Sequence, residues 1–165
     1  MANTVLVEDR LALRFSFDKR ETDGFFNNDT GNNDRAAFTD VDTWRLGLRY
    51  DPTDRLSSVL KYTYIEDRGS SVRGATASLP DRIVRSEDAR QHDINSLSFN
   101  LNYDINDALT FSSSTIITNA NPITDRVFRT AVEKRERNYD VFEQEFRLNY
   151  TTDRAKAVVG AFYTK

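Results

Sequence analysis

Apolar and polar residues alternate with a period of two in several separate stretches of the chain. From Leu11 to Asp18 the odd positions (Leu11, Leu13, Phe15, Phe17) are apolar and the even ones small or polar. Trp44 to Tyr50 and Leu97 to Tyr103 repeat the pattern. Phe142 to Tyr150 does so with Gln144 as the one polar intruder on its apolar face. A period of two sends successive side chains to opposite sides of a sheet, whereas helical spacing through 97–103 would mix Leu97 with Asn100. These stretches predict strands. Leu11, Leu13, Phe15, Trp44, Leu46, Leu48, Phe99, Leu101, Phe146 and Leu148 are expected on one face. Arg45, Arg49, Asn100, Asn102, Glu145 and Arg147 are expected on the other.

Four short segments between these strands resemble one another. They are Val7 to Leu11, Tyr50 to Leu56, Tyr103 to Leu109 and Tyr150 to Ala155, and their aligned aspartates Asp9, Asp54, Asp107 and Asp153 lie 45, 53 and 46 residues apart. Long polar stretches at 20–42, 67–92 and 119–138 fall between them and read as loops. Each repeat is therefore strand, long loop, strand, short turn. Sequential strands joined this way pair with their neighbours in an antiparallel meander, with all short turns at one end and all long loops at the other. About eight strands are expected, the first a stub at 3–7. Membrane barrels have this asymmetry, and Tyr50, Tyr103 and Tyr150, each just before a short turn, suit an interfacial aromatic girdle. The fold class expected is all-β: an antiparallel meander forming a segment of a transmembrane β-barrel.

Composition narrows the function. The chain has no cysteine, which removes disulfides and thiolate chemistry, and a formal net charge of −3 with 30% charged residues gives no basic footprint for nucleic acid. The mean hydropathy of −0.64 does not oppose a membrane barrel, because its strands are short and only half apolar. The loops are long for a soluble sandwich, where turns recur roughly every 8–12 residues. MANTVLVEDR lacks the features of a secretory leader, so a fragment of a longer protein is expected.

The order of these motifs resembles the barrel domain of TonB-dependent receptors over nearly the whole chain. Val7 to Ser16 is similar to the segment that opens an early barrel hairpin, and Asp23-Gly24-Phe25 with Asn27 resembles the start of the loop after it. Asp42 to Arg45, continuing through Tyr50 to Ser57, resembles the next descending strand and turn. Phe142 to Leu148 and Val159 to Tyr163 look like a later hairpin. The resemblance implies that residues 1–165 are part of a barrel of about 22 strands, without its plug domain, its TonB box or its closing C-terminal strand. It also implies a setting in the outer membrane of a Gram-negative bacterium and a cargo of ferric siderophores or similar large nutrients. The implied partners are lipid, the rest of the barrel, the plug, and TonB through the missing parts.

Candidate site residues follow from the polar face and the loops. Arg45, Arg49 and Arg147 are ligand-binding candidates facing a lumen; Arg135 and Arg137, beside Lys134 and Tyr139, are candidates in the third loop. Glu133 and Glu136 interleave with these cations, which favours a solvated loop. Glu143 and Glu145 share a face with Arg147 and read as lumen salt bridges before an acid/base pair. Asn27 to Asp34 is oxygen-rich but lacks the spacing of a calcium loop, and His92 is a lone histidine. No metal, cofactor, nucleophile or phosphate loop is expected, and enzyme is the weakest class. A porin-like channel and a soluble all-β binding module remain the alternatives.

Overall fold

The computed structural model describes residues 1–24, 26–28, 35–72, 83–84, 87–128 and 131–165. These form strands β1 (Ala2–Val7), β2 (Leu11–Thr22), β3 (Phe26–Asn28), β4 (Arg35–Ala36), β5 (Thr39–Thr53) and β6 (Leu56–Val72). There follow β7 (Ile83–Val84), β8 (Glu87–Asn106), β9 (Leu109–Phe128), β10 (Ala131–Glu136), β11 (Tyr139–Thr151) and β12 (Lys156–Thr164). The main sheet runs β1-β2-β5-β6-β8-β9-β11-β12, antiparallel at every step, with β10 also on β9. β10 and β11 lie against β9 in one register, Glu136 opposite Ile123 and Tyr139 opposite Ala120. The wall is thus eight strands wide, and β10 is the far end of β11. The interruption between them falls where Arg137 N donates to Pro122 O at 3.1 Å, since a proline has no N–H to return the bond.

The antiparallel rule has one exception, outside the wall. A small second sheet, β4-β3-β7, links segments of the first and second polar stretches, and there β3 and β7 are parallel, Asn27 opposite Ile83. The polar stretches themselves need correcting. Much of 87–92 and 119–136 is strand rather than loop, and β8 and β9 each reach 20 residues. In that part of the sheet both faces are polar, so the alternation vanishes while the backbone pairing continues.

At the opposite end the repeated turns form a repeated stitch. Asp51 N donates to Arg10 O, Asp104 N to Arg55 O and Thr151 N to Ala108 O, each at 2.8 Å. Each bond joins the residue after a girdle tyrosine to the residue after the preceding turn's aspartate. Ion pairs add to the pattern, Arg10 to Asp54 at 3.3 Å and Arg55 to Asp107 at 3.6 Å. Both aspartates are fully exposed, so water screens these pairs and they add little to stability. Asp9 sits at φ 58°, the left-handed conformation that a short turn needs and that Asp tolerates. Register shifts between Val5 and Val7, Tyr50 and Thr53, and Asp104 and Asn106 place bulges along this same rim.

The register assigns the faces, because residues directly opposite in a ladder point the same way. Phe15, Leu46, Tyr62, Leu97, Ile117 and Phe142 lie opposite one another in turn across six strands, and Leu13, Leu48, Leu60 and Phe99 form the next row. The apolar face is as the alternation predicts, and no described residue covers it. Leu46 is 45% exposed, Phe99 39% and Phe146 44%. Among the described residues the fully buried ones are Thr43, Gly69, Ser70 and Asp88, none of them a large apolar residue. The wall is a single layer, and among the described residues neither of its sides carries a core. Ring contacts such as Phe17 on Trp44, centroids 4.2 Å apart, run within the face rather than between layers.

Polar groups on the apolar face are tied to one another. Gln144 is joined there by Ser113 and Thr115; Thr115 Oγ1 donates to Gln144 Oε1 at 2.6 Å, and Gln144 Nε2 donates to Ser113 Oγ at 3.1 Å. Hydrocarbon tolerates polar groups satisfied in this way. Past Trp44 and Tyr64, toward the long-loop end, the same face turns acidic. Asp42, Glu66 and Asp93 stand opposite one another on three strands, and Lys19 reaches Asp40 at 3.1 Å, Glu21 at 3.8 Å and Asp42 at 3.9 Å.

Candidate functional site

The opposite, polar face is where a solute can be recognised, and its chemistry changes across the wall. On β2, β5 and β6 it is cationic, with Arg14, Arg45, Arg49 and Lys61. On β8 and β9 it carries amides and hydroxyls, Asn100 and Asn102 facing Ser114 and Ser112. On β11 it carries Glu143, Glu145 and Arg147. A hollow of about 300 Å³ lies over the neutral strip, lined by Asn100, Asn102, Ser112, Ser114, Glu145 and Arg147 among others.

The sequence-predicted residues share this face but are not gathered at one point. Arg45 and Arg49 are on β5 and Arg147 on β11, four strand steps away, roughly 19 Å at about 4.8 Å a step. Arg49 Nε binds Asp51 Oδ2 at 2.6 Å, and Arg147 Nε binds Glu145, the lumen-type ion pair expected there. Arg135, expected in a loop, is a strand residue, whereas Arg137 falls between strands. Arg135 belongs to β10 and pairs with Glu133 at 2.8 Å; Arg137 lies at the β10–β11 interruption and its Nη1 donates to Tyr139 Oη at 3.3 Å. That bond to Tyr139 raises the Arg137 pKa. Lys134 does not join them, because alternation along β10 turns it to the other face.

His92 faces the same way as Arg137 and meets Asp67, Nδ1 to Oδ2 at 3.8 Å, while Arg90 holds that carboxylate from 3.3 Å. Among the described residues no group of three His, Asp or Glu side chains converges as metal ligands would. Most of the oxygen-rich stretch Asn27 to Asp34 lies outside the described residues.

Two residues that the alternation alone left unmarked belong with Arg45 and Arg49. Arg14 and Lys61 lie directly opposite Gly47 on either side. Each sits between apolar neighbours in sequence, Leu13 and Phe15 or Leu60 and Tyr62, which was signal enough for the face. Their mutual proximity depends on register, which the alternation does not give.

No family pattern and no curated protein matches the sequence. A solved structure does match the fold: the ferric yersiniabactin uptake receptor FyuA from Yersinia pestis, with a TM-score of 0.87 over 98% of this chain at 14% sequence identity. The chain spans 27% of that receptor's length. The wall thus has the fold of a segment of a transmembrane β-barrel.

Proposed function

We propose that the chain is part of an outer-membrane, TonB-dependent transporter for ferric siderophores or similar large nutrients. The observation that carries this reading is the single-layer wall, with large apolar side chains left exposed on one face and charged or amide side chains on the other. A soluble β module covers its apolar face with a second layer. A membrane barrel gives that face to lipid and keeps a polar lumen. The shared fold with a ferric yersiniabactin uptake receptor supports the transporter reading, and the cations on β2, β5 and β6 suit an anionic chelate. Residues 1–165 then form part of the barrel in a Gram-negative outer membrane, and the plug and the contact with TonB belong to other parts of the protein.

The test is uptake of iron-55 siderophores by cells producing the polypeptide that contains this segment, with and without the energy-coupling protein. Uptake that needs both supports the proposal. Accumulation that proceeds equally without coupling favours a passive porin-like channel.

A further inference from the structure

Gly47 lies at the centre of a cross of cations on the polar face. Arg14 and Lys61 are directly opposite it on β2 and β6, and Arg45 and Arg49 flank it two residues away along β5. Its four diagonal neighbours on this face, Ala12, Ser16, Val59 and Thr63, are uncharged. Among the described residues, Arg49 is the one of the four cations that meets a carboxylate, that of Asp51 at 2.6 Å. Arg14 reaches only the Met1 sulfur at 2.9 Å, and Arg45 and Lys61 form no ion pair among the described residues.

We propose that this cluster is an anion-binding site for a compact solute carrying two or more carboxylate or phosphate groups. Like charges held this close on a sheet repel one another, so an occupant of opposite sign is favoured. The space for it is present. Because Gly47 has no side chain and Ala12 and Val59 are small, a hollow of about 400 Å³ opens over the strands, with Arg14, Arg49 and Lys61 in its wall. That volume is within the range of roughly 300–1,000 Å³ typical of small-molecule sites. The guanidinium forks suit the paired oxygens of carboxylate or phosphate, and Lys61 supplies a point charge. From the proposed function the inference takes only that this face is wet and lumenal.

The test is isothermal titration calorimetry of the purified polypeptide that contains this segment, in non-ionic detergent at low salt, with citrate, pyrophosphate and, as a monoanion, acetate. Saturable binding of citrate or pyrophosphate at least tenfold tighter than acetate, and weakened by added salt, is expected. Lys61→Gln should weaken it at least fivefold. Gly47→Leu should abolish it by filling the hollow while keeping every charge. A β-carbon at Gly47 meets nothing closer than Arg14 Cβ at 3.9 Å, so the sheet accommodates the larger residue. Lys156→Gln, at an exposed cation on the same face but out on β12, should leave binding unchanged. Circular dichroism confirms the sheet in each variant. The proposal is overturned if the folded protein shows no saturable binding, if Gly47→Leu binds as well as the parent, or if Lys156→Gln is as damaging as Lys61→Gln. The membrane reading fails separately, by the chain's forming a stable monomer without detergent.

Discussion

Replacing Leu101 with arginine should be far more costly than replacing Asn102, one residue along the same strand. On β8 the apolar band runs from Leu97 to Ile105, with Phe99, Leu101 and Tyr103 between. At about 3.3 Å a residue this is ~27 Å along the strand, and a tilt near 40° reduces it to a height of ~20 Å, close to the lipid-facing band of such barrels. Leu101 lies at the centre, about 10 Å from either rim, where an arginine costs about 2–4 kcal/mol. Leu97→Arg and Ile105→Arg lie near the interfaces and should cost about 1 kcal/mol or less. Asn102 points the other way, between Ser57 and Ser112, and an arginine there stays in water, so its cost should be within about 0.5 kcal/mol.

The assay is equilibrium urea unfolding from phosphatidylcholine vesicles, followed by the emission of the single tryptophan, Trp44, which lies on the apolar face. The ordering Leu101→Arg well above Leu97→Arg, with Asn102→Arg near zero, is the signature of a membrane with depth. Equal costs at Leu101 and Asn102, or no difference between Leu101 and Leu97, would refute the assignment of this face to lipid.

Gly69→Ala should destabilise by about 1–3 kcal/mol in the same assay, because a β-carbon there comes within 2.8 Å of Phe38 O and 3.1 Å of an Arg90 nitrogen. Gly47→Ala meets only ordinary contacts and should be neutral or stabilising by up to about 1 kcal/mol. The hydrogen bond to Asp40, aided by the charges of Asp40, Asp42 and Glu21, raises the Lys19 pKa above its ordinary 10.5. Its contribution is therefore fully present below pH 10.5 and lost as pH climbs through the raised value, so Lys19→Met should flatten the alkaline part of a stability–pH curve. In plain buffer the chain should aggregate, since β1 and β12 are sheet edges beside an uncovered apolar face. A sharp monomer peak in size-exclusion chromatography with a cooperative melt would return the protein to the soluble β class.

The part of the fold legible in the sequence is the part where the two faces meet different surroundings. From Leu11 to Phe17 or from Leu97 to Tyr103, one face is apolar and the other polar, and the period of two is visible in the residues themselves. Toward the long-loop end, Asp88, Arg90 and His92 alternate with Ala89, Gln91 and Asp93, and neither face is apolar. The ladder continues there through backbone bonds alone, which leave no mark on composition. For the same reason β10 read as loop, and Lys134, Arg135 and Arg137 read as one patch when the strand places them on two faces.

The candidate site was half legible, for a reason that concerns register. Alternation assigned Arg45 and Arg49 to the polar face without reference to any other strand. What makes them a site is the arrival of Arg14 from β2 and Lys61 from β6 beside a glycine. The Lys61 pairing is set at a hairpin turn, since β5 and β6 turn through Asp54 and Arg55 with a bulge between Tyr50 and Thr53. A one-residue change in that bulge would slide Lys61 away from Gly47 and, because side chains alternate, turn it toward the apolar face. The turn stitched by Arg10 and Asp54 therefore does more than close a hairpin. By fixing the register it fixes which cations surround Gly47, so altering the short-turn rim should change the polar face well before it unfolds the wall.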